Sequence, residues 1–157
     1  RYHRRAMAQT VADIMTTPPV TIPMDATMET VRAIFDERRF HHLVVVDPQG
    51  RAVGVISDRD LLATVSPFVG KMAERPADLA SLQRRAHQVM SRPLMAARRA
   101  TSLRAAARVM LDRRVSCLPV LDAGGRCIGI VTIRDLVRWS IAHMDDALPR
   151  DETRNAA

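Results

Sequence analysis

An ungapped internal repeat constrains this chain more than any other feature of its sequence. The segment GVISDRD at residues 54–60 returns as GIVTIRD at residues 129–135, which sets an offset of 75 positions. The same offset aligns identical residues through helical, extended and turn segments: Met15 with Met90, Pro18 with Pro93, Arg38 with Arg113, Arg39 with Arg114, Leu43 with Leu118, Val45 with Val120, Asp47 with Asp122, Gly50 with Gly125, Arg51 with Arg126 and Leu61 with Leu136. Chance similarity rarely keeps one register over so many kinds of structure. We therefore infer a tandem duplication of a unit of about 50 residues.

Each unit has the pattern of a β-α-β-β-α element. In the first unit, Thr27 is placed to cap a helix that ends near Arg38, and apolar residues recur there at helical spacing. The apolar runs at 43–46 and 52–56 flank a turn, which predicts a hairpin, and a helix is expected over 58–64. Since one such unit buries its small sheet poorly, we expect an α+β fold in which two pseudo-symmetric β-α-β-β-α repeats pack through their small sheets.

Breaks in these patterns divide the chain into five parts. Pro67, Gly70 and Pro76 interrupt regular structure between the units, and apolar residues at helical spacing after residue 77 predict a linker helix. The expected parts are a terminal arm at 1–10, the first repeat at 11–64, a linker with a helix at 65–86, the second repeat at 87–143 and a C-terminal tail at 144–157.

The formal net charge of +7 leaves two interpretations open. We favour a solvated basic surface, and the alternative is an Arg-rich surface that contacts a protein or nucleic acid. Only five aromatic residues occur in the chain, which leaves little material for stacking the bases of a single strand. The arginine pairs at 38–39 and 113–114 end equivalent helices, where they suit the helix dipole or a phosphate.

Several observations argue against catalysis, metal binding and membrane insertion. No nucleophile, base and orienting group recur at a recognisable spacing, and no G-x-x-x-x-G-K-[ST] loop occurs, so we do not expect an enzyme. His41 and His42 near Asp47 do not predict a metal site, because adjacent side chains of an extended chain point to opposite faces. Cys117 and Cys127 lack metal or redox spacing, and no apolar run reaches the roughly 20 residues that span a bilayer. We therefore expect a reduced, cytoplasmic protein.

The repeated Gly-x-x-[Ser/Thr]-x-x-Asp motif allows two interpretations. Ser57 with Asp60, and Thr132 with Asp135, fit capping boxes, in which the hydroxyl residue caps a helix and the carboxylate bonds back to its N–H. A helix start also offers unpaired N–H groups to a phosphate, and a carboxylate accepts the two donors of a ribose diol. Capping and ligand binding are compatible, so the motif alone does not choose between them.

Taken together, these residues resemble the tandem cystathionine-β-synthase (CBS) domain pair, or Bateman module. The resemblance is carried by DIMT at 13–16 with its counterpart QVMS at 88–91, the LPVLD strand at 118–122 and both copies of the repeated motif. It extends over about residues 11–143. It implies a regulatory sensor that binds AMP, ADP, ATP or S-adenosylmethionine in clefts between the repeats, requires no cofactor and forms a homodimer through its helices.

The resemblance also implies which residues contact the ligand. The implied phosphate and ribose contacts are Ser57, Arg59, Asp60, Thr132, Arg134 and Asp135. The implied adenine wall beside the first motif comprises Thr16, Thr21, His41 and His42, and the wall of the other cleft comprises Ser91, Ala96, Ser116 and Cys117. Val55 and Ile130, within the two motifs, complete the set. Because the first repeat has Val44 where the second has Pro119, the two clefts are expected to differ in occupancy.

Overall fold

The computed structural model describes residues 9–92 and 94–147, and both repeats have the predicted β-α-β-β-α order. The first repeat, preceded by a 3-10 turn at Val11–Asp13, consists of β1 (Thr21–Pro23), α1 (Met28–Arg38), β2 (His42–Val46), β3 (Ala52–Ser57) and α2 (Asp58–Thr64). Two linker helices follow, α3 (Pro76–Ser81) and α4 (Ala86–Val89). The second repeat consists of β4 (Ala97–Arg98), α5 (Leu103–Arg113), β5 (Cys117–Leu121), β6 (Cys127–Thr132) and α6 (Ile133–Ala147). The predicted α+β fold is confirmed; most of the predicted arm and tail lies outside the described residues.

The two three-stranded sheets repeat one topology. β1 runs parallel to β2, and β2 pairs with β3 in an antiparallel hairpin; β4, β5 and β6 repeat this order. The register is also repeated, with His42 opposite Ser57 in one hairpin and Cys117 opposite Thr132 in the other. The duplication seen in the sequence is therefore a duplication of backbone geometry.

Capped helices cover the sheets. The Thr27 hydroxyl accepts a hydrogen bond from the Thr30 N–H at 3.3 Å, which confirms the predicted cap of α1, and Ser102 caps α5 in the same way. The buried face of α1 packs Met28 and Val31 into a cluster with residues of β2 and β3. No helix within the described ranges is long and apolar enough to cross a membrane.

Each repeat places its lead-in segment in the core of the other repeat. We use this name for residues 11–16 and 86–91, which are equivalent at the offset of 75. Val11 belongs to the hydrophobic cluster of the second repeat, and its N–H donates to the Thr101 carbonyl at 2.9 Å. Ala86 belongs to the cluster of the first repeat, and its N–H donates to the Ala26 carbonyl at 2.7 Å. The repeats are therefore continuous in sequence but exchange their first residues in space.

Glycines allow the lead-in segments to lie directly on the strands of the other repeat. A Cβ added at Gly54 would lie 2.5 Å from the Met90 sulfur, and one added at Gly129 would lie 2.6 Å from the Met15 sulfur. At Gly54 the contacts include the Met90 Cβ at 2.9 Å, so a side chain there requires the neighbouring segment to move, whereas at Gly129 the closest atom belongs to the flexible end of Met15. The spacing between the repeats is consequently fixed at two equivalent points.

The hairpin turns also join the two sheets. The Ala52 N–H donates to the Gly125 carbonyl at 3.1 Å, and the Cys127 N–H donates to the Gly50 carbonyl at 3.3 Å. These reciprocal backbone bonds connect β3 and β6 to the opposite turn. They confirm that the repeats pack through their small sheets.

Two short helices stand in the linker where the sequence predicts one. The chain between them turns so that the Leu82 and Arg84 carbonyls accept hydrogen bonds from the Glu29 and Met28 N–H groups, at 3.0 and 2.9 Å. These donors belong to the first turn of α1, where no partner within the helix is available. Helix α3 therefore ends at Ser81, and the backbone that follows it caps α1. Leu79, one of the apolar residues of the predicted helical pattern, is left 46% exposed.

Candidate functional site

Both copies of the repeated motif open into the same cavity between the repeats, which has a volume of about 730 Å³. Fourteen of the sixteen residues expected from the sequence line this cavity: Thr16, His41, His42, Val55, Ser57, Arg59, Asp60, Ser91, Ser116, Cys117, Ile130, Thr132, Arg134 and Asp135. The two clefts expected beside the motifs are thus joined in one space.

Thr21 and Ala96 are the two expected residues that do not line the cavity. The residues before them, Val20 and Met95, do so instead. Successive side chains of an extended chain point to opposite sides, so a shift of one residue changes which side chain faces the cavity. The strand that contains Thr21 is exposed at that residue and buries Ile22 against the core.

The predicted capping boxes are present in both motifs. Asp60 Oδ2 accepts hydrogen bonds from the Ser57 N–H at 2.8 Å and the Ser57 hydroxyl at 3.0 Å, and the Ser57 Oγ accepts the Asp60 N–H at 3.2 Å. Thr132 and Asp135 repeat these three distances. One carboxylate oxygen of each aspartate is therefore committed to the start of its helix.

The second carboxylate oxygen differs between the two motifs. Asp135 Oδ1 accepts a hydrogen bond from Arg138 Nη1 at 3.3 Å. Asp60 Oδ1 has no hydrogen-bond partner in the part of the chain that the structure describes, and the residue equivalent to Arg138 is Ala63. An oxygen with two lone pairs that accepts at most one hydrogen bond retains capacity for a ribose hydroxyl.

The lead-in segments run beside the motifs of the opposite repeats. Thr16 and Ile130 exchange backbone hydrogen bonds at 2.9 and 3.1 Å, so Thr16 lies beside the second motif. The Ser91 N–H donates to the Val55 carbonyl at 2.9 Å, which places Ser91 beside the first motif. The expected grouping put Thr16 beside the first motif and Ser91 beside the second. The structure shows the reverse for both residues, because the lead-in segments cross between the repeats.

The two histidines have separate partners within the cavity. His41 Nδ1 lies 2.9 Å from Asp58 Oδ2, whereas His42 Nε2 lies 2.8 Å from the Ser116 Oγ of the other repeat. Burial lowers the pKa of His42 below its ordinary value, although the nearby Asp58 opposes this effect. Asp47 instead accepts the Gln49 and Arg51 N–H groups within its own turn. The histidines therefore belong to the wall of the cavity, and one of them joins the two repeats.

Several charged residues of the cavity wall were not among the ligand contacts that the family resemblance implies. Arg39 and Arg114 follow α1 and α5, have left-handed backbones with φ of 50° and 54°, and both line the cavity. Residues other than glycine are uncommon in the left-handed conformation, yet both repeats have an arginine at this position. Asp58 and Arg138 also line the cavity, and the comparison of the two repeats hides them because neither has a charged counterpart.

The two cysteines are the first residues of β5 and β6. Cys117 is buried at the edge of the cavity, and burial raises the pKa of its thiol to about 12. Cys127 is half-buried, and burial also raises the pKa of its thiol, although a backbone hydrogen bond of Gly129 partly opposes this effect. Both thiols therefore resist conversion to the reactive thiolate.

Sequence comparison identifies both halves of the chain as one type of domain. The family model described as CBS domain matches residues 11–66 and 86–142. A CBS domain-containing protein of Dictyostelium discoideum is 33% identical over 141 residues, which cover 89% of this chain and 97% of that protein. An inosine-5'-monophosphate dehydrogenase of Mycobacterium tuberculosis is 32% identical over 124 residues, 79% of this chain but only 21% of the enzyme.

Solved structures of similar domain pairs contain adenosine compounds. The CBS domain pair of protein MJ0100, in complex with 5'-methylthioadenosine and S-adenosyl-L-methionine, has a TM-score of 0.72 at 25% identity and covers 86% of this chain and 98% of that chain. CBSX2, a protein of Arabidopsis thaliana, was solved in complex with AMP; it has a TM-score of 0.71 at 28% identity and covers 86% of this chain and 98% of that chain.

Proposed function

The chain belongs to the CBS domain family, and on this premise we propose that it is a regulatory module whose inter-repeat cavity binds an adenosine-containing ligand. The ligand is AMP, ADP, ATP or S-adenosylmethionine, and binding transmits the level of that compound to a partner. The module senses its ligand and catalyses no reaction. The relatives that bind such compounds support the proposal by similarity.

One observation carries the proposal: both motif copies open into one cavity large enough for a nucleotide-sized molecule. Ligand pockets of about 300–1,000 Å³ are typical for small molecules, and this cavity of about 730 Å³ lies within that range. A capping box on its own needs no cavity. The convergence of two such motifs on a shared cavity is what favours binding over helix capping alone.

The lining supplies each contact that an adenosine ligand needs. The second oxygens of Asp60 and Asp135 are acceptors for ribose hydroxyls. Val20, Phe40 and Met95 give the cavity apolar surface for the purine ring. Arginines supply donors for phosphate oxygens: Arg39, Arg59, Arg114, Arg134 and Arg138.

The crossed lead-in segments couple the site to the arrangement of the repeats. A ligand at the second motif is placed to contact Thr132 of the second repeat and Thr16 in the lead-in segment of the first repeat. Such a ligand shifts the arrangement only if it binds one arrangement more tightly than another. The structure provides this opportunity because each motif is built from both halves of the chain.

We further propose that the regulatory unit is a homodimer. Ile133, Val137, Ile141 and Met144 form a stripe on α6 and are 42%, 53%, 66% and 59% exposed. Leu62 on α2, the residue equivalent to Val137, is 79% exposed. A second copy is the occupant that fits, because apolar residues at equivalent positions of a pseudo-symmetric surface suit a two-fold interface. Sedimentation velocity should give a dimer for wild type and a monomer for Val137→Asp with Ile141→Asp; two monomeric species would refute this part.

Calorimetric titration tests the ligand. AMP, ADP, ATP and S-adenosylmethionine are each added to the purified chain, and a double variant, Asp60→Ala with Asp135→Ala, serves as the control. We expect at least one compound to bind wild type and none to bind the double variant. Acid release of residual nucleotide from purified protein gives an independent readout.

If no adenosine compound binds, the Arg-rich surface becomes the candidate for function. If none of the four compounds binds or raises the Tm, the sensor function is refuted. A steep salt dependence of RNA or DNA binding by the same protein would then favour the alternative, an Arg-rich interaction surface beside an unused cavity.

A further inference from the structure

We propose that the two halves of the cavity differ in their affinity for phosphorylated adenosine ligands: the second half binds such a ligand, and the first half rejects it. The first half comprises the first motif with Ser91, and the second half comprises the second motif with Thr16. This proposal rests on the function proposed above and specifies where, and in what chemical form, the ligand binds.

Two unmatched positions make the halves electrostatically different. Asp58, the residue after Ser57, lines the first half, and its equivalent in the second half is Ile133. Arg138 lines the second half one turn into α6, and its equivalent in the first half is Ala63. The first half therefore has an additional anion, and the second half has an additional cation.

The remaining charges of the cavity wall do not offset this difference. Arg39 with Arg114, and Arg59 with Arg134, are equivalent pairs that give each half the same number of cations, and the motif aspartates are equivalent as well. The first half thus holds two arginines and two aspartates, whereas the second half holds three arginines and one aspartate. Counting these arginines and aspartates alone, the formal charge is zero in the first half and +2 in the second.

Local contacts strengthen the contrast. The Asp58 carboxylate lies 2.9 Å from His41 Nδ1 and is 44% exposed, so it is accessible to a ligand that approaches the first helix start. Arg138 donates one N–H to Asp135 at 3.3 Å and is 77% exposed. A guanidinium has five donors, so four remain for phosphate oxygens beside the ribose-binding carboxylate.

This charge distribution predicts an order of affinity. Each phosphate adds negative charge, so the second half should bind ATP most tightly, then ADP, AMP and adenosine. S-adenosylmethionine carries a sulfonium cation and should bind there more weakly than ATP. Because the attraction is between charges at a partly exposed site, added salt should weaken ATP binding more than adenosine binding.

Titration calorimetry of single variants tests the assignment. We expect one ATP per wild-type chain, loss of binding by at least about tenfold in Asp135→Ala, and a change below about twofold in Asp60→Ala. The two variants are matched in the capping box that each loses, and Asp135→Ala additionally loses the bond to Arg138, so thermal melts should measure the stability of both variants. Arg138→Ala should weaken ATP by about tenfold while changing adenosine much less.

A gain-of-binding variant keeps the proposal testable if Asp135→Ala misfolds. Asp58→Ile gives the first half the residue of the second, and we expect a second, weaker ATP equivalent to appear. Two equal ATP equivalents in wild type, or binding lost in Asp60→Ala but kept in Asp135→Ala, would overturn the assignment while leaving the sensor function intact. If neither ATP nor any other adenosine compound binds wild type, the proposed function itself fails.

Discussion

Replacing Gly54 by alanine tests how tightly the second lead-in segment is packed against β3. The added Cβ would lie 2.5 Å from the sulfur, 2.7 Å from Cγ and 2.9 Å from Cβ of Met90. The sulfur and Cγ can move when the side chain rotates, but Cβ is fixed to the backbone, so the chain at the end of α4 has to shift. Overpacking in a core costs about 1–3 kcal/mol, and the contact with Cβ places Gly54 in the upper part of that range.

We therefore expect Gly54→Ala to lower the free energy of unfolding by about 2–3 kcal/mol, which corresponds to roughly 4–12 °C in Tm for a chain of this size. The expected sign is opposite to that of an unhindered glycine, where alanine stabilises by about 0.4–1 kcal/mol through the unfolded chain. Gly124→Ala is the matched control, because its Cβ would meet only Asp122 Oδ1 at 3.4 Å. Gly129→Ala should lie between the two, since its Cβ would meet the flexible end of Met15 and a backbone oxygen at 3.1 Å.

Urea unfolding followed by circular dichroism measures these differences. Adding Met90→Ala to Gly54→Ala removes two of the three close contacts, so the double variant should lose less stability than the sum of the single variants. The packing argument is refuted if Gly54→Ala and Gly124→Ala unfold at the same urea concentration. Additive losses in the double variant would show that Met90 is not the group that alanine meets.

Three further predictions follow from single side chains. Burial lowers the pKa of His42 in the folded protein, so the unfolded chain binds more protons at mildly acidic pH. The free energy of unfolding should therefore fall as the pH drops below about 6.5, the pKa of an unfolded histidine. Urea midpoints measured from pH 5 to 8 should show this slope in wild type and not in His42→Gln. Burial raises the pKa of the Cys117 thiol to about 12 and also raises the pKa of the Cys127 thiol. A thiol reagent at pH 8 should therefore label the half-buried Cys127 slowly and Cys117 only after unfolding. Rapid labelling of both cysteines in the folded protein would contradict the burial of their thiols. Ser102→Ala removes the cap of α5 and should cost about 1 kcal/mol in a thermal melt while leaving ligand binding unchanged. A binding loss larger than twofold would contradict the position of Ser102 outside the cavity lining, which includes only the opposite end of this helix at Arg114.

The fold was predictable because its signals are local and occur twice. The cap at Thr27, the helical spacing over 28–38 and the apolar runs around the first hairpin each specify an element within a few residues. The second copy supplied an independent occurrence of the same signals, which fixed the order of the elements. The linker was harder, because its helical spacing is real but the backbone there is used to cap α1.

The site was less predictable because its construction depends on which copy packs against which. Internal similarity identifies equivalent residues and says nothing about their partners, so the contact of Thr16 with Ile130 could not be derived from it. Strand β1 has three residues, too few for the alternation of side chains to show whether Val20 or Thr21 faces the cavity. Arg138 was missed for the opposite reason: comparing the repeats draws attention to what they share, and its counterpart is Ala63.

The motif aspartates show why a local pattern could not separate a structural role from a binding role. Asp60 and Asp135 each use one oxygen to start a helix and keep capacity on the other, so capping and ribose binding occupy different atoms of one side chain. Removing either carboxylate disturbs both roles, and a single variant therefore cannot assign the effect. Comparing Asp60→Ala with Asp135→Ala can assign the effect, because both variants lose a capping box of the same geometry while the charges around the two carboxylates differ. Since Thr16 from the start of the chain lies beside the second motif, one occupied half would suffice to couple the ligand to both repeats.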